Sequence, residues 1–165
     1  METRNIFENL SCIDHRYSAS EEAEQFAALS SYISEQASIR SMAKCEAALV
    51  KAHLKVRGKL TDDIAKTLDD VAANIDPVEV YAEEEKTRHN VRALVNVMKT
   101  KVNAEIGPYI HLGATSVDIL DTALSCRMRD VTQNVVLPEL KKLEKHLCDI
   151  AERDCDTPQV GRTHG

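Results

Sequence analysis

Most of the side chains in this sequence that could do chemistry stand in four short polar segments: HRYS at 15–18, TRHN at 87–90, HLGATSVD at 111–118 and GRTHG at 161–165. Arg16 beside Tyr17 can hold an anion and stack on a planar ring, because a guanidinium is a flat fork of donors and a phenol pairs an apolar face with a polar tip. Thr115 and Ser116 at a helix start would offer hydroxyls next to backbone N–H groups that have no partner within the helix, which makes an anion cradle. Histidine is the side chain best suited to move a proton near neutral pH, and His89, His111 and His164 occupy three of the four segments. Gly161 and Gly165 flank the last group, and glycine is most useful where backbone turns tightly or approaches a ligand. Taken singly, each segment is served as well by helix caps, turn glycines and solvated histidines.

The elements that must carry these segments are helical almost throughout. From Ser20, a cap followed by Glu21 and Glu22, apolar and small residues recur at Ala23, Phe26, Ala27, Ser30, Ile33 and Ala37, and the pattern runs on to a stop at Gly58. Thr61 caps a shorter helix to about Ala73. Asp76 before Pro77 starts another, read as one helix to Val102. At about 100° per residue its buried stripe is Val91, Leu94, Val95, Met98 and Val102, with His89 nearly opposite and Glu85, Arg92 and Asn96 on the histidine's side.

Gly107 and Pro108 break the pattern, and it restarts at Thr115 or Ser116. A long run to about Asp154 follows, periodic through Leu120, Leu124, Met128, Val131 and Val135, then through Leu140, Leu143, Leu147 and Ile150. Pro138 between the two series should kink or divide it. Such a run needs partner helices, and the expectation is a bundle with members outside this sequence. The fold class is therefore all-α, with a small helical domain over 1–112 and the start of a larger bundle over 113–165.

The 165 residues are 43% hydrophobic and 29% charged, enough for one ordinary domain with its own core or for one small domain plus part of another, and unlike a disordered chain. A formal charge of −6 argues against nucleic acid as a partner. The opening residues lack the pattern of a secretory signal, and no apolar run reaches the ~18 residues of a membrane span, so a cytoplasmic protein with no membrane partner is expected. Five scattered cysteines without a C-x-x-C pair suit reduced thiols rather than disulfides or zinc.

Taken in order, IDHRYS, EEEKTRHNVRALV, HLGATSVDILDTAL and TPQVGRTHG resemble the adenylosuccinate lyases, within the fumarase/aspartase superfamily. GATSVDILDTAL is also similar to the carboxymuconate cycloisomerases of that superfamily, while Arg16–Tyr17 and GRTHG favour the purine enzymes. The resemblance implies β-elimination of fumarate from adenylosuccinate, giving AMP, and from the related succinyl-aminoimidazole carboxamide ribotide. A base removes a proton next to a carboxylate, an aci-carboxylate carbanion forms, and an acid protonates the departing nitrogen. It implies no metal or organic cofactor, a purine nucleotide as substrate, and a homotetramer whose active sites are shared between subunits.

By the same resemblance His164 is the general acid and Thr163 a substrate contact. Arg88, His89 and Asn90 form a substrate-binding segment in which His89 assists, although the family commonly has Asp at the position of Asn90. Arg16 and Tyr17 contact the nucleotide, Thr115 and Ser116 hold the succinyl carboxylate, and His111 is a further active-site histidine. His15, His53 and His146 match no role and read as structural or exposed. The family's general base is a serine on a loop much further along, so these residues alone are expected to carry the acid half of the machinery and to be inactive. Two other readings stay open: another fumarate-releasing or cycloisomerase member of the superfamily, which would not bind an AMP-type ligand, and a truncated non-catalytic helical interaction module, which would self-associate without releasing fumarate.

Overall fold

The computed structural model describes residues 5–18, 23–162 and 164. The expected cap at Ser20, with Glu21 and Glu22, lies outside the described residues, as does Thr163. Among the described residues there are seven α-helices and no strand: α1 Ala23–Ile33, α2 Glu35–Val56, α3 Asp62–Ala73, α4 Pro77–Thr87, α5 Asn90–Thr100, α6 Ser116–Val131 and α7 Leu137–Asp154. The all-α expectation holds.

Several boundaries fall where the local chemistry puts them. Thr61 caps α3 by accepting the Ile64 N–H at 3.3 Å, and Asp76 caps α4 by accepting the Val78 N–H at 2.9 Å, with Pro77 in the first turn. Beyond α2 the chain reverses at Gly58, whose φ of +65° is a left-handed conformation that glycine adopts without strain.

Two expected helices are each divided in two. The run from Ala23 breaks at Ser34, which is extended and whose hydroxyl accepts the Ala37 N–H at 3.3 Å. The expected Pro77–Val102 helix is interrupted at Arg88 and His89. Arg88 turns left-handed, φ 54°, and its N–H closes α4 on the Glu84 carbonyl at 2.7 Å, while His89 is extended and opens α5. Periodicity alone hides both breaks, because each is made by side-chain caps rather than by Gly or Pro. The fold bends α4 back along α5, and Asn96 Nδ2 donates to Glu83 Oε1 across the pair at 2.8 Å. That bond, before the nearby Lys86, holds the Glu83 carboxyl below the usual range.

The core forms around α2. Ile39, Met42, Ala43, Ala47, Val50 and Leu54 point inward from it and meet Leu68 and Ala72 of α3, Val80 of α4, Val91, Leu94, Val95 and Met98 of α5, and Ile119 and Ala123 of α6. The first four residues of the stripe expected on α5 are all buried, and Val102, beyond the helix, packs against the same core. Of the expected series, Val131 and Val135 are buried and Leu120 packs partly buried against the core, while the deepest residues of α6 are Ile119 and Ala123, which the series does not include. Leu124 and Met128 are exposed, and Ser41 Oγ of α2 donates to the Ala123 carbonyl at 3.2 Å on the packed side.

After α6 the helix passes through a π turn at Thr132–Val136, then continues as α7 with Pro138 near its start. The Leu137 N–H reaches back to the Thr132 carbonyl, five residues away. Widening the turn by one residue accommodates a proline that cannot donate to the ordinary ladder. α7 buries none of its residues, and Leu140, Leu143 and Leu147 are 53%, 52% and 56% exposed. No described helix is long and apolar enough to cross a membrane.

Candidate functional site

The TRHN and GATS segments meet. His89 caps α5 through its ring: Nδ1 accepts the Arg92 N–H at 3.2 Å. A neutral imidazole that accepts at Nδ1 carries its proton on Nε2, and Nε2 lies 3.2 Å from Ser116 Oγ at the start of α6. The ring therefore donates to the serine, whose own O–H stays available to a further acceptor. Thr87 Oγ1 donates to the His89 carbonyl at 3.2 Å and helps hold the break between helices. Asn90 Oδ1 accepts the adjacent Val91 N–H at 2.7 Å, and Arg88 is exposed at the bend.

The start of α6 is partly filled by its own side chains. Asp118 Oδ2 accepts the Thr115 N–H at 3.0 Å, and the Asp118 N–H bonds the Thr115 carbonyl at 3.1 Å. An anion approaching Thr115 and Ser116 would meet this carboxylate beside the helix dipole, so the cradle read from sequence is shared with an internal acid.

His111 is held differently. Its φ is 64°, in the left-handed region. Its N–H donates to Glu46 Oε2 at 3.0 Å and its Nδ1 lies 2.6 Å from Glu46 Oε1. Glu46 comes from the middle of α2 and is fully buried. The motifs of the sequence do not include it, yet a signal is present: Glu46 stands at helical spacing within the stripe of Ile39, Met42, Ala43, Ala47 and Val50, where a carboxylate without partners would be left with the full cost of desolvation. Next to it His53 tethers the same loop, with Nε2 2.8 Å from the Leu112 carbonyl, and the Arg57 guanidinium sits 5.3 Å over the Tyr109 ring. His53 is thus structural.

Arg16 and Tyr17 end a 3-10 turn, Asp14–Arg16, and both are exposed. Asp14 is buried under them and accepts the Leu10 N–H at 2.7 Å. The segment docks on α1, where Ser30 Oγ donates to the Glu8 carbonyl at 2.6 Å. His164 is exposed on the segment that follows α7. The structure thus joins His89 to Ser116 and fixes His111 on α2, while Arg16, Tyr17 and His164 stand on segments at the two ends of the chain.

A broad concavity lies between the 5–18 segment, α1, α2 and α6, with His15, Arg40, Cys45, Asp118 and Arg127 among its lining residues. It touches the chemistry-bearing segments only at Gly113, Ala114 and Asp118 on one side and at His15 and Ser18 on the other. Burial lowers the Arg127 pKa, and burial, then Cys126 and Glu46, raises that of Cys45. Among the described residues no group of three or more His, Cys, Asp or Glu could hold a metal ion.

The sequence model of the lyase family matches residues 17–165. The chain belongs to the lyase family. Among its curated relatives, the adenylosuccinate lyase of Pyrococcus horikoshii is 33% identical over 155 residues, covering 93% of this chain and 32% of that protein. The adenylosuccinate lyase of Archaeoglobus fulgidus is also 33% identical, over 153 residues, with the same shares covered. That of Synechocystis is 38% identical over 93 residues, 56% of this chain and 21% of the relative. The chain thus spans about a third of the length of the first two of these relatives. The match runs through His89, His111, Thr115 and Ser116.

Proposed function

We propose that these residues belong to an adenylosuccinate lyase that eliminates fumarate from adenylosuccinate and from succinyl-aminoimidazole carboxamide ribotide. The observation that carries the reading is the His89–Ser116 contact: two segments 27 residues apart, each matching a substrate-binding motif of the resemblance, arrive at one place. The naming of relatives over 93% of the chain supports the same reading.

In this proposal His164 protonates the purine nitrogen as the C–N bond breaks. The C–H proton leaves to a base supplied by sequence beyond these residues, and the electron pair of that C–H bond becomes the new double bond of fumarate. Ser116, oriented by His89, and Thr115 hold the succinyl carboxylate. Arg16 and Tyr17 hold the nucleotide, Arg88 and Asn90 line its approach, and Thr163 contacts substrate. No cofactor takes part. The site is completed by several subunits of a cytoplasmic homotetramer. The open leucine stripe of α7 is the face such a bundle would cover, with 1–112 as the small domain and 113–165 as the bundle's beginning. Without the base, residues 1–165 are inactive alone.

The test is fumarate release from adenylosuccinate by the natural-length polypeptide, beside His164→Ala. Loss of about two or more orders of magnitude, as removal of a general acid causes, is the expected outcome. No release from the unaltered polypeptide would sink the reading.

A further inference from the structure

We propose that Glu46 is a positioning residue for His111: it holds the ring by Nδ1 and the backbone by N–H, so that Nε2 is the atom left to meet substrate. The inference rests on the lyase reading only for what His111 meets; the positioning itself stands on geometry. Glu46 is fully buried, and both of its oxygens are used by one residue 65 positions away, at 3.0 Å to the main chain and 2.6 Å to the ring. A carboxylate accepts at both oxygens without leaving a donor over, so the arrangement that satisfies every atom has Nδ1 carrying its proton. The His111 ring is 24% exposed, and Nε2 has no partner among the described residues.

Three features argue that this is orientation rather than filler. A carboxylate in a wholly apolar stripe is an expensive way to close a loop, and an apolar side chain of similar size at position 46 would pack as well. The bonded backbone is left-handed at a residue that is not glycine, a conformation that persists where the surroundings impose it. The loop is also tied independently through His53 to the Leu112 carbonyl, so Glu46 is not needed merely to keep it in place. A carboxylate partner that fixes the tautomer and heading of an imidazole is the arrangement by which proteins aim a histidine at a ligand.

Two measurements on the natural-length protein test this. The first is the solid-state 15N spectrum of histidine-labelled protein at mildly alkaline pH, with the His111 signals identified by their loss in His111→Asn. Nδ1 protonated and Nε2 bare is expected; the opposite tautomer overturns the proposal. The second is a kinetic cycle. Glu46→Gln supplies one acceptor where two are used and should lower kcat/KM at least tenfold, with Glu46→Asp intermediate. In a His111→Asn background Glu46→Gln should cost less than twofold more. If the two losses multiply, or if Glu46→Gln leaves kcat/KM unchanged, Glu46 does not act through His111. Should the unaltered protein release no fumarate, the lyase reading fails while the spectrum still decides the positioning. The spectrum of the unaltered protein also decides it if the Glu46 variants do not fold.

Discussion

α2 and α7 are the two longest helices of the chain and share an amphipathic pattern, yet α2 buries seven residues and α7 none. α2 runs through the centre with α1, α3, α5 and α6 packed on it. α7 leaves the centre after the π turn and carries a leucine stripe that nothing among the described residues covers. The difference teaches what helical periodicity encodes. It says which face must leave water, because burying that face contributes roughly 25 cal/mol per Å² of apolar surface. It does not say whether the covering atoms come from the same stretch of sequence.

The sharpest way to break the comparison is truncation on each side. Leu94→Ala, in the core that α2 organises, should cost about 2–5 kcal/mol in urea unfolding of the 165-residue chain. Leu143→Ala on α7 should change that same measurement by no more than about 0.5 kcal/mol. In the natural-length polypeptide the Leu143 substitution should rise into the range of the core substitution, if the stripe is covered there. Equal losses in the 165-residue chain would mean that α7 is already packed.

A smaller effect is expected where α2 begins. Ser34→Ala removes the side-chain acceptor of the Ala37 N–H, and the loss should be about 1 kcal/mol by the same assay. α7 has no side-chain cap to lose.

The smallest effect is a titration. Tyr81 of α4 has its pKa raised to about 12, by burial first and then by the charge and hydrogen bond of Glu35 at the start of α2. The folded value lies above the ordinary 10.0, so the contribution of the protonated phenol is complete below about pH 10 and fades as pH rises through about 12. Ultraviolet titration of the tyrosines should show a step near pH 12 that vanishes in Tyr81→Phe. A step that survives the substitution would belong to another residue.

Much of this architecture is legible in the sequence itself. Thr61, Asp76, Pro77, Gly58 and Thr115 mark boundaries because their chemistry is local, acting within a few residues of backbone. The stripe of Val91, Leu94, Val95 and Met98 is legible because one helix face meets one core. The breaks at Ser34 and Arg88–His89 are not, since a serine or histidine cap leaves the pattern intact and the phase on either side looks continuous. Leu124 and Met128 of α6 are misassigned for a related reason, although Val131 and Val135 of the same series are buried: that helix has two apolar sides, and sequence does not rank them. Within the candidate site, the histidines and the Thr115–Ser116 pair announce themselves by type and clustering. Glu46 does not, because its partner is 65 residues away and only folding brings them together.

The π turn at Thr132–Val136 has a consequence of another kind. An ordinary α-helical turn closes on the residue four back, whereas this one closes on the residue five back, so the extra residue is taken up inside the turn. Deleting Asn134 would leave α7 helical and its composition intact. Its leucine ridge would keep close to its present heading, because an ordinary turn completes nearly the same sweep with one residue fewer. The turn is thus a slack link, which swallows a one-residue difference in chain length without re-aiming the stripe downstream.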